Sequence, residues 1–397
     1  MSKFLHTGDE HLDADTHGWV NPATGLNTLW ESNYRVVRFL AETAVENKVD
    51  FFLSAGDNFK TGRPSQEALL MFADALGPVA EAGIPIVLLD GNHHITGVAS
   101  DHRTVIHVLA DMLRSRGATV FIASKPALIR LPDGTQIAAL PWLSKNRVLA
   151  QLDQTDLSPA AGDLRVSEFA VAELERMVNE ADLSAPLIMA SHITVDSMRI
   201  DAVQDGFTRG SETELAHLFS EPILPLGNVR EMPFQYGALS HIHTPQKAGG
   251  NFWYAGSPNR LTFTDMNDEK AGNLVTLTAD GPSVERIITP ARKMARIDLE
   301  TGDPQSEIAA LTEGTLVQAI LPTGATSIAP EMRKAITDRG AVLSDTKARP
   351  KPREIREPLN IPDKNDHLAA LRLWAERHPV TGISIDQLVT AATSLEA

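Results

Sequence analysis

Residues 3–11, KFLHTGDEH, set a short apolar strand, Lys3–Thr7, directly against two polar side chains, Asp9 and His11. The same arrangement recurs along the chain. Val49–Ala55 runs into Asp57 (AGDN), and Ile84–Leu89 runs into Asn92 and His93 (DGNHH). Leu187–Ser191 ends on His192 (MASHI), and Gly237–Ser240 ends on His241 and His243 (ALSHIH). Runs this short and rich in Val, Ile, Leu and Phe read as strands buried on both faces. Further strands are expected at Thr119–Ala123, Gln136–Leu140, Phe252–Ala255 and Leu274–Leu277. Between the first three strands lie two helical patterns. One carries Tyr34, Val37, Ala41, Ala44 and Val45; the other runs from Ser65 through Leu69, Phe72 and Leu76. That gives βαβαβ followed by a more strand-rich second half, which we read as a two-sheet α/β sandwich with helices outside.

In an open α/β sheet ligands bind at the carboxyl ends of the strands. Five strand ends that each deliver Asp, Asn or His can therefore converge on one point. Each motif alone has a bland reading: Gly-Asp and Gly-Asn as turns, His192 as a satisfied core histidine. Turns do not explain the conjunction. The chain has no cysteine, so thiol catalysis, disulfides and thiolate-bound zinc are excluded. The eight O and N donors suit two divalent ions of borderline hardness, Mn²⁺, Fe²⁺ or Zn²⁺. Asp57 is the natural bridging carboxylate, and a nearby histidine that is not a ligand can protonate a leaving oxygen.

At 397 residues the length predicts more than one structural unit. With 43% apolar and 22% charged residues it is a globular composition. No apolar run reaches the ~18 residues of a membrane span, and MSKFLHTGDEH does not read as a signal peptide, so a cytoplasmic enzyme is expected. The formal charge of -15 argues on its face against a nucleic-acid binder. Two bound divalent ions, however, place positive charge where a phosphate would sit.

Near Pro290 the texture changes. Strands at Arg296–Leu299, Leu316–Leu321 and Ala341–Ser344, with helices at Gln305–Leu311 and Ala329–Arg339, predict a small α+β unit. KARPKPREIR, Lys347–Arg356, reads as a basic, Pro-rich linker. Beyond it Asp366 can cap a helix bearing Leu368, Leu371 and Ala375. Ser384 and Gln387 form a capping box for a last helix bearing Leu388, Ala391, Ala392 and Leu395. The expected domains are residues 1–290, 291–346, a linker at 347–365 and a helical pair at 366–397.

The series Asp-x-His, Gly-Asp, Gly-Asn-His, His and Ser-His-x-His resembles the calcineurin-like metallophosphoesterases. Asn58-Phe59, Arg63-Pro64-Ser65, Tyr254–Pro258, Arg260, Phe263 and Glu269–Gly272 further resemble the SbcD-type nuclease subunits and their break-repair relatives. The resemblance implies a four-layer αββα sandwich with a small α+β capping domain and C-terminal helices. It implies one metal on Asp9, His11, Asp57 and His243, a second on Asp57, Asn92, His192 and His241, and His93 as proton donor. It further implies manganese as the usual ion (Fe²⁺, Zn²⁺ or Mg²⁺ being alternatives), DNA as substrate, a homodimer, and an SbcC-like coiled-coil ATPase held by the C-terminal helices. Three positions depart from the family pattern. Ser240 replaces a Gly. His94 stands where an Asp commonly orients the catalytic histidine. Lys60 stands where the nuclease relatives often carry a second histidine, and with Arg63 and Arg260 it is a candidate phosphate contact. The competing readings are a small-molecule phosphodiesterase or protein phosphatase on the same core, and a non-catalytic scaffold.

Overall fold

In the computed structural model the apolar runs form two facing six-stranded sheets. The structure describes residues 2–95, 103–197, 203–204, 207–208, 222–349, 368, 371–372, 375–376 and 384–396. The strands of the sandwich are β1 (Lys3–Thr7), β2 (Phe51–Ser54), β3 (Ile86–Leu89), β4 (Val120–Ala123), β5 (Ala127–Arg130) and β6 (Gln136–Leu140). They continue with β7 (Leu187–His192), β8 (Tyr236–Ser240), β9 (Gln246–Gly249), β10 (Phe252–Tyr254), β11 (Ala271–Thr278) and β12 (Gly281–Ile288). One sheet has the order β12-β11-β1-β2-β3-β4 and the other β9-β10-β8-β7-β6-β5. The central strands of both are parallel, and their carboxyl ends carry the motifs.

Period-two alternation explains why these strands are apolar throughout. Phe51 and Leu53 point between the sheets, where they meet Phe4, Val87, Leu89, Ile188 and Tyr236. Phe52 points the other way. It packs under α1 (Thr28–Glu46), α2 (Gln66–Ala75), α3 (Gly77–Glu81) and α4 (Val105–Ser115), through Val37, Leu40, Phe72, Val79 and Leu109. The outer face of the second sheet is covered by α5 (Lys145–Gln151) and α6 (Pro159–Glu180), with Val166, Ala170, Leu174 and Met177 on Leu140, Leu187 and Met189. This is the expected αββα layering. Asn27 caps α1 and Ser65 caps α2, each side chain accepting a first-turn N–H.

After the sandwich the chain forms a parallel three-stranded sheet, Met294–Asp298, Leu316–Leu321 and Val342–Ala348, with helices Pro304–Ala309 and Pro330–Asp338. It has its own core around Ile297, Val317, Ala319 and Ile336. Compactness places Met1–Arg349 in one unit and Pro350–Ala397 in a second. In the second unit, helix Ile385–Glu396 begins with the expected box: Ser384 Oγ accepts from Gln387 N, and Ser384 N donates to Gln387 Oε1. Most of the expected linker lies outside the described residues. No helix among the described residues is long and apolar enough to cross a membrane.

Candidate metal centre

The five strand ends meet. Asp9, His11 and His243 offer ligand atoms within 4.8 Å of one another, as do His11, Asp57 and His93, and Asp9, Asp57 and His192. Asp57 thus stands between two donor clusters. On one side His11 Nε2 faces His243 Nε2 at 3.2 Å and lies 3.9 Å from Asp57 Oδ2. On the other side His192 Nε2 sits 3.2 Å from Asp57 Oδ2 and 3.0 Å from Asn92 Oδ1. The His241 ring is 5.0 Å from that of His192. His93 donates its backbone N–H to Asp57 Oδ1 at 3.1 Å, and its Nε2 is 4.0 Å from Asp57 Oδ2.

The backbone is bent to achieve this. Asp9, His11, Asp57 and His241 all adopt positive φ, at 54°, 42°, 51° and 98°. Non-glycine residues rarely do so, and such strain clusters at functional sites. The loops hold one another: Asp9 N donates to Gly56 O and His11 N to Asp57 O, at 2.9 and 3.0 Å. Gly91 is needed for close approach, because a Cβ there would stand 2.0 Å from Asp57 Oδ1.

The electrostatics fit a pair of cations. Burial, with the positive neighbours His243, His93 and Lys60, holds the His11 imidazole well below its ordinary pKa against the pull of Asp57. Burial likewise lowers His243. With both rings neutral, at most one of the two facing nitrogens carries a proton, and the other presents a lone pair. Burial also works to lower His192, but the adjacent Asp57 carboxylate outweighs it and raises the imidazole to about 9. His192 gives up its proton only to a stronger cation that takes its place, so metal binding at neutral pH should release a proton. We expect the affinity of the metal-free chain for Mn²⁺ to fall as pH drops below about 9. Calorimetry in two buffers of different ionisation enthalpy measures the proton; a binding heat independent of buffer would refute the assignment.

Several residues outside the motifs shape the centre. Ser240 is more than a substitute for glycine: its hydroxyl donates to Asp9 Oδ2 at 2.7 Å, and His241 N donates to the same carboxylate. Glu10, between two ligands, is buried and accepts from Ser54 Oγ and Asn58 Nδ2, both at 2.9 Å. Burial pushes its carboxyl up to about 8 in the metal-free chain. Lys270 is wholly buried, and its ammonium faces His243 O (3.0 Å), Ser257 Oγ (2.9 Å), Asp268 Oδ2 (3.1 Å) and Asp265 Oδ1 (3.3 Å). It anchors the loop that delivers His243. The Trp142 ring lies 5.0 Å from His241 and 6.2 Å from His192.

The departures from the family pattern fall as follows. His94 points away from the centre: buried, it pairs Nδ1 with Asp90 Oδ1 at 3.1 Å, and its Nε2 accepts from Phe59 N at 3.3 Å. It staples the Asn92–His93 loop to the loop after Asp57. Lys60 is near enough to His11 to depress its pKa, with its backbone N–H on Asp13 Oδ1 at 2.5 Å. Arg63 is exposed on the same loop. Arg260 commits both Nη atoms to backbone carbonyls, those of Arg292 at 2.9 Å and Asp268 at 2.8 Å.

Residues 2–162 match the family Calcineurin-like phosphoesterase. That span includes the loops of Asp9, Asp57 and Asn92; the later histidines join them through the second sheet. The chain is 27% identical over 305 residues to SbcD, a component of the nuclease SbcCD of Escherichia coli K12, covering 72% of this chain and 68% of that protein. It is 23% identical over 320 residues to the DNA double-strand break repair protein Mre11 of Aeropyrum pernix, covering 79% and 67%. A crystal structure of a dimetal phosphatase from Danio rerio covers 72% of this chain and 98% of its own, at a TM-score of 0.37 and 11% identity, a likeness too low to weigh.

Proposed function

From a chain that carries a calcineurin-like metallophosphoesterase domain, we propose a metal-dependent DNA nuclease subunit that hydrolyses phosphodiesters at a dinuclear centre. The observation that carries this is the position of Asp57 between two donor clusters. The nuclease names of the relatives on most of the chain's length support the choice of substrate.

Asp9, His11, Asp57 and His243 would hold one ion, and Asp57, Asn92, His192 and His241 the other. Manganese is the favoured ion, with Fe²⁺, Zn²⁺ or Mg²⁺ as alternatives. Two such ions, when bound, acidify a water and neutralise charge on the phosphate. The chain's own groups do the rest. Ser240 and His241 N fix Asp9, and Lys270 fixes the His243 loop. His93, tethered by its backbone to Asp57, carries the proton for the departing sugar oxygen. Lys60 adds positive charge on the His11 side, and Arg63 on the exposed loop is available to backbone phosphates. Arg260 supports the site from behind.

We further propose exonuclease action on duplex ends and endonuclease action on single strands or hairpins, in the cytoplasm. Residues 1–290 would form the nuclease domain and 291–346 a cap. A linker over 347–365 would tether the helices of 366–397, which dock on an SbcC-like ATPase. The protein would work as a homodimer. The name SbcCD for the complex of one relative supports the ATPase partner.

The test is cleavage of linear and single-stranded DNA with Mn²⁺, beside cyclic nucleotides and a phosphopeptide. The His93→Gln chain should lose about 10²–10⁴-fold in rate, the usual contribution of a positioned general acid, while still binding metal. Hydrolysis of the small substrates alone would refute the nuclease. No hydrolysis even with the ATPase present would favour a scaffold.

A further inference from the structure

A cavity of about 410 Å³ adjoins the metal centre on the His192–His241 side. Trp142 forms the shared wall: its indole packs on both ligand histidines and also lines the cavity. Asp90 and Ile95, which flank the Asn92–His93 loop, form another wall, so the cavity opens beside the place where the phosphate would sit. Its floor is apolar, with Val148 and Phe169. Ser124 lines it too, and its hydroxyl is buried with no hydrogen-bond partner. Such a group is costly to leave unpaired and marks a place for a ligand atom. Lys125 stands at the same cavity.

A flat apolar wall, an aromatic face, one unspent hydroxyl and a nearby cation match the chemistry of a nucleobase joined to a phosphate. We propose that this cavity receives the base of a nucleotide flanking the scissile phosphodiester. The base stacks on Trp142, and Ser124 Oγ hydrogen-bonds its polar edge. Stacking is tolerant of sequence because every base has a π-face, so the pocket orients the strand without reading it. Trp142 then couples binding to the metals, since it touches the histidines that would hold one of them. The proposal rests on the phosphodiesterase reading of the adjoining centre.

The test compares 2′-deoxyadenosine 5′-monophosphate with inorganic phosphate as ligands of the full-length, manganese-loaded chain. The nucleotide should bind about 10-fold more tightly, in keeping with one stacked base. Trp142→Ala should collapse that ratio toward one, and Trp142→Phe should keep most of it. Val148→Phe, which fills the cavity from the opposite wall, should also collapse it. The ratio cancels general damage at the metals, because both ligands need them. Equal affinities in the parent chain, or a ratio preserved in both Trp142→Ala and Val148→Phe, would overturn the pocket. If the parent cleaves DNA but shows no nucleotide preference, the pocket fails and the nuclease stands. If it prefers the nucleotide yet hydrolyses only small phosphodiesters, the nuclease fails and the pocket stands.

Discussion

An Asp57→Asn chain should lose hydrolysis of every phosphodiester to the metal-free background, and should no longer hold two ions. Asp57 is the group shared between the donor clusters, so the change removes a charged ligand from both ions at once. An amide keeps the shape and can still accept the His93 backbone N–H, which separates loss of charge from loss of fold. Metal content by mass spectrometry and hydrolysis with added Mn²⁺ measure the two effects. A variant with full metal content and parental rate would sink the bridging role. A second consequence concerns the metal-free protein. The raised pKa of His192 gives stability that is fully present below its ordinary 6.5 and is lost as pH rises through about 9. The lowered pKa of Asp57, set against burial by the His192 charge beside it, gives stability that is present above its ordinary 3.8 and is lost in acid. Metal-free Asp57→Asn should therefore melt below the metal-free parent between these limits, and the gap should close in alkali.

Lys270→Met should be the most destabilising single change outside the ligand set. The lysine is buried with two carboxylates, Asp265 and Asp268, which are themselves nearly buried. Burial would push Asp265 up, and the lysine together with His243 and two backbone N–H groups holds it below its ordinary value. Removing one partner of a buried pair leaves uncompensated charge, which costs about 3–5 kcal/mol. The methionine fills similar volume, so the loss measures charge rather than a cavity. Denaturant unfolding of metal-free protein reads it directly. A change under about 1 kcal/mol, the scale of an exposed pair, would refute the buried-network account. Because Lys270 also carries the His243 carbonyl, the variant should bind metal more weakly as well.

The central strands can be read from sequence because parallel strands between two layers leave no polar positions. The run FFLS at Phe51–Ser54 announces itself, and so does the polar residue where it ends. Edge strands give no such signal: Gln246–Gly249 is QKAG, and Gly281–Ile288 begins with Gly-Pro and alternates with Glu and Arg. They are strands because a neighbour pairs with them. Helix α6 is missing from the sequence reading although Val166, Ala170, Leu174 and Met177 recur at helical spacing, a stripe that is a sufficient signal by itself. The ligand residues are legible because their chemistry is unusual at strand ends. Glu10, Lys270 and Trp142 are not, because nothing local says that a charged loop residue is buried or that a tryptophan rests on a ligand. Those facts belong to the packing of the two sheets. The role of His94 is equally hidden from its chain neighbours, since its orientation depends on Asp90 and on Phe59, 35 residues away.

The contact between Gly8 and Ser240 has a consequence for how such a site can change over time. A methyl group at position 8 would stand 2.3 Å from the Ser240 hydroxyl and 2.9 Å from its Cβ; its next neighbour, Ala55 N, is at 3.4 Å. With serine at 240, position 8 is therefore closed to alanine; with glycine at 240, it is nearly open. The serine that steadies Asp9 also constrains a residue 232 positions earlier in the chain. A lineage must give up that hydroxyl before position 8 can vary, and once position 8 has varied the hydroxyl cannot return. The two sites form a ratchet in which the order of substitutions, rather than their sum, decides which sequences can be reached.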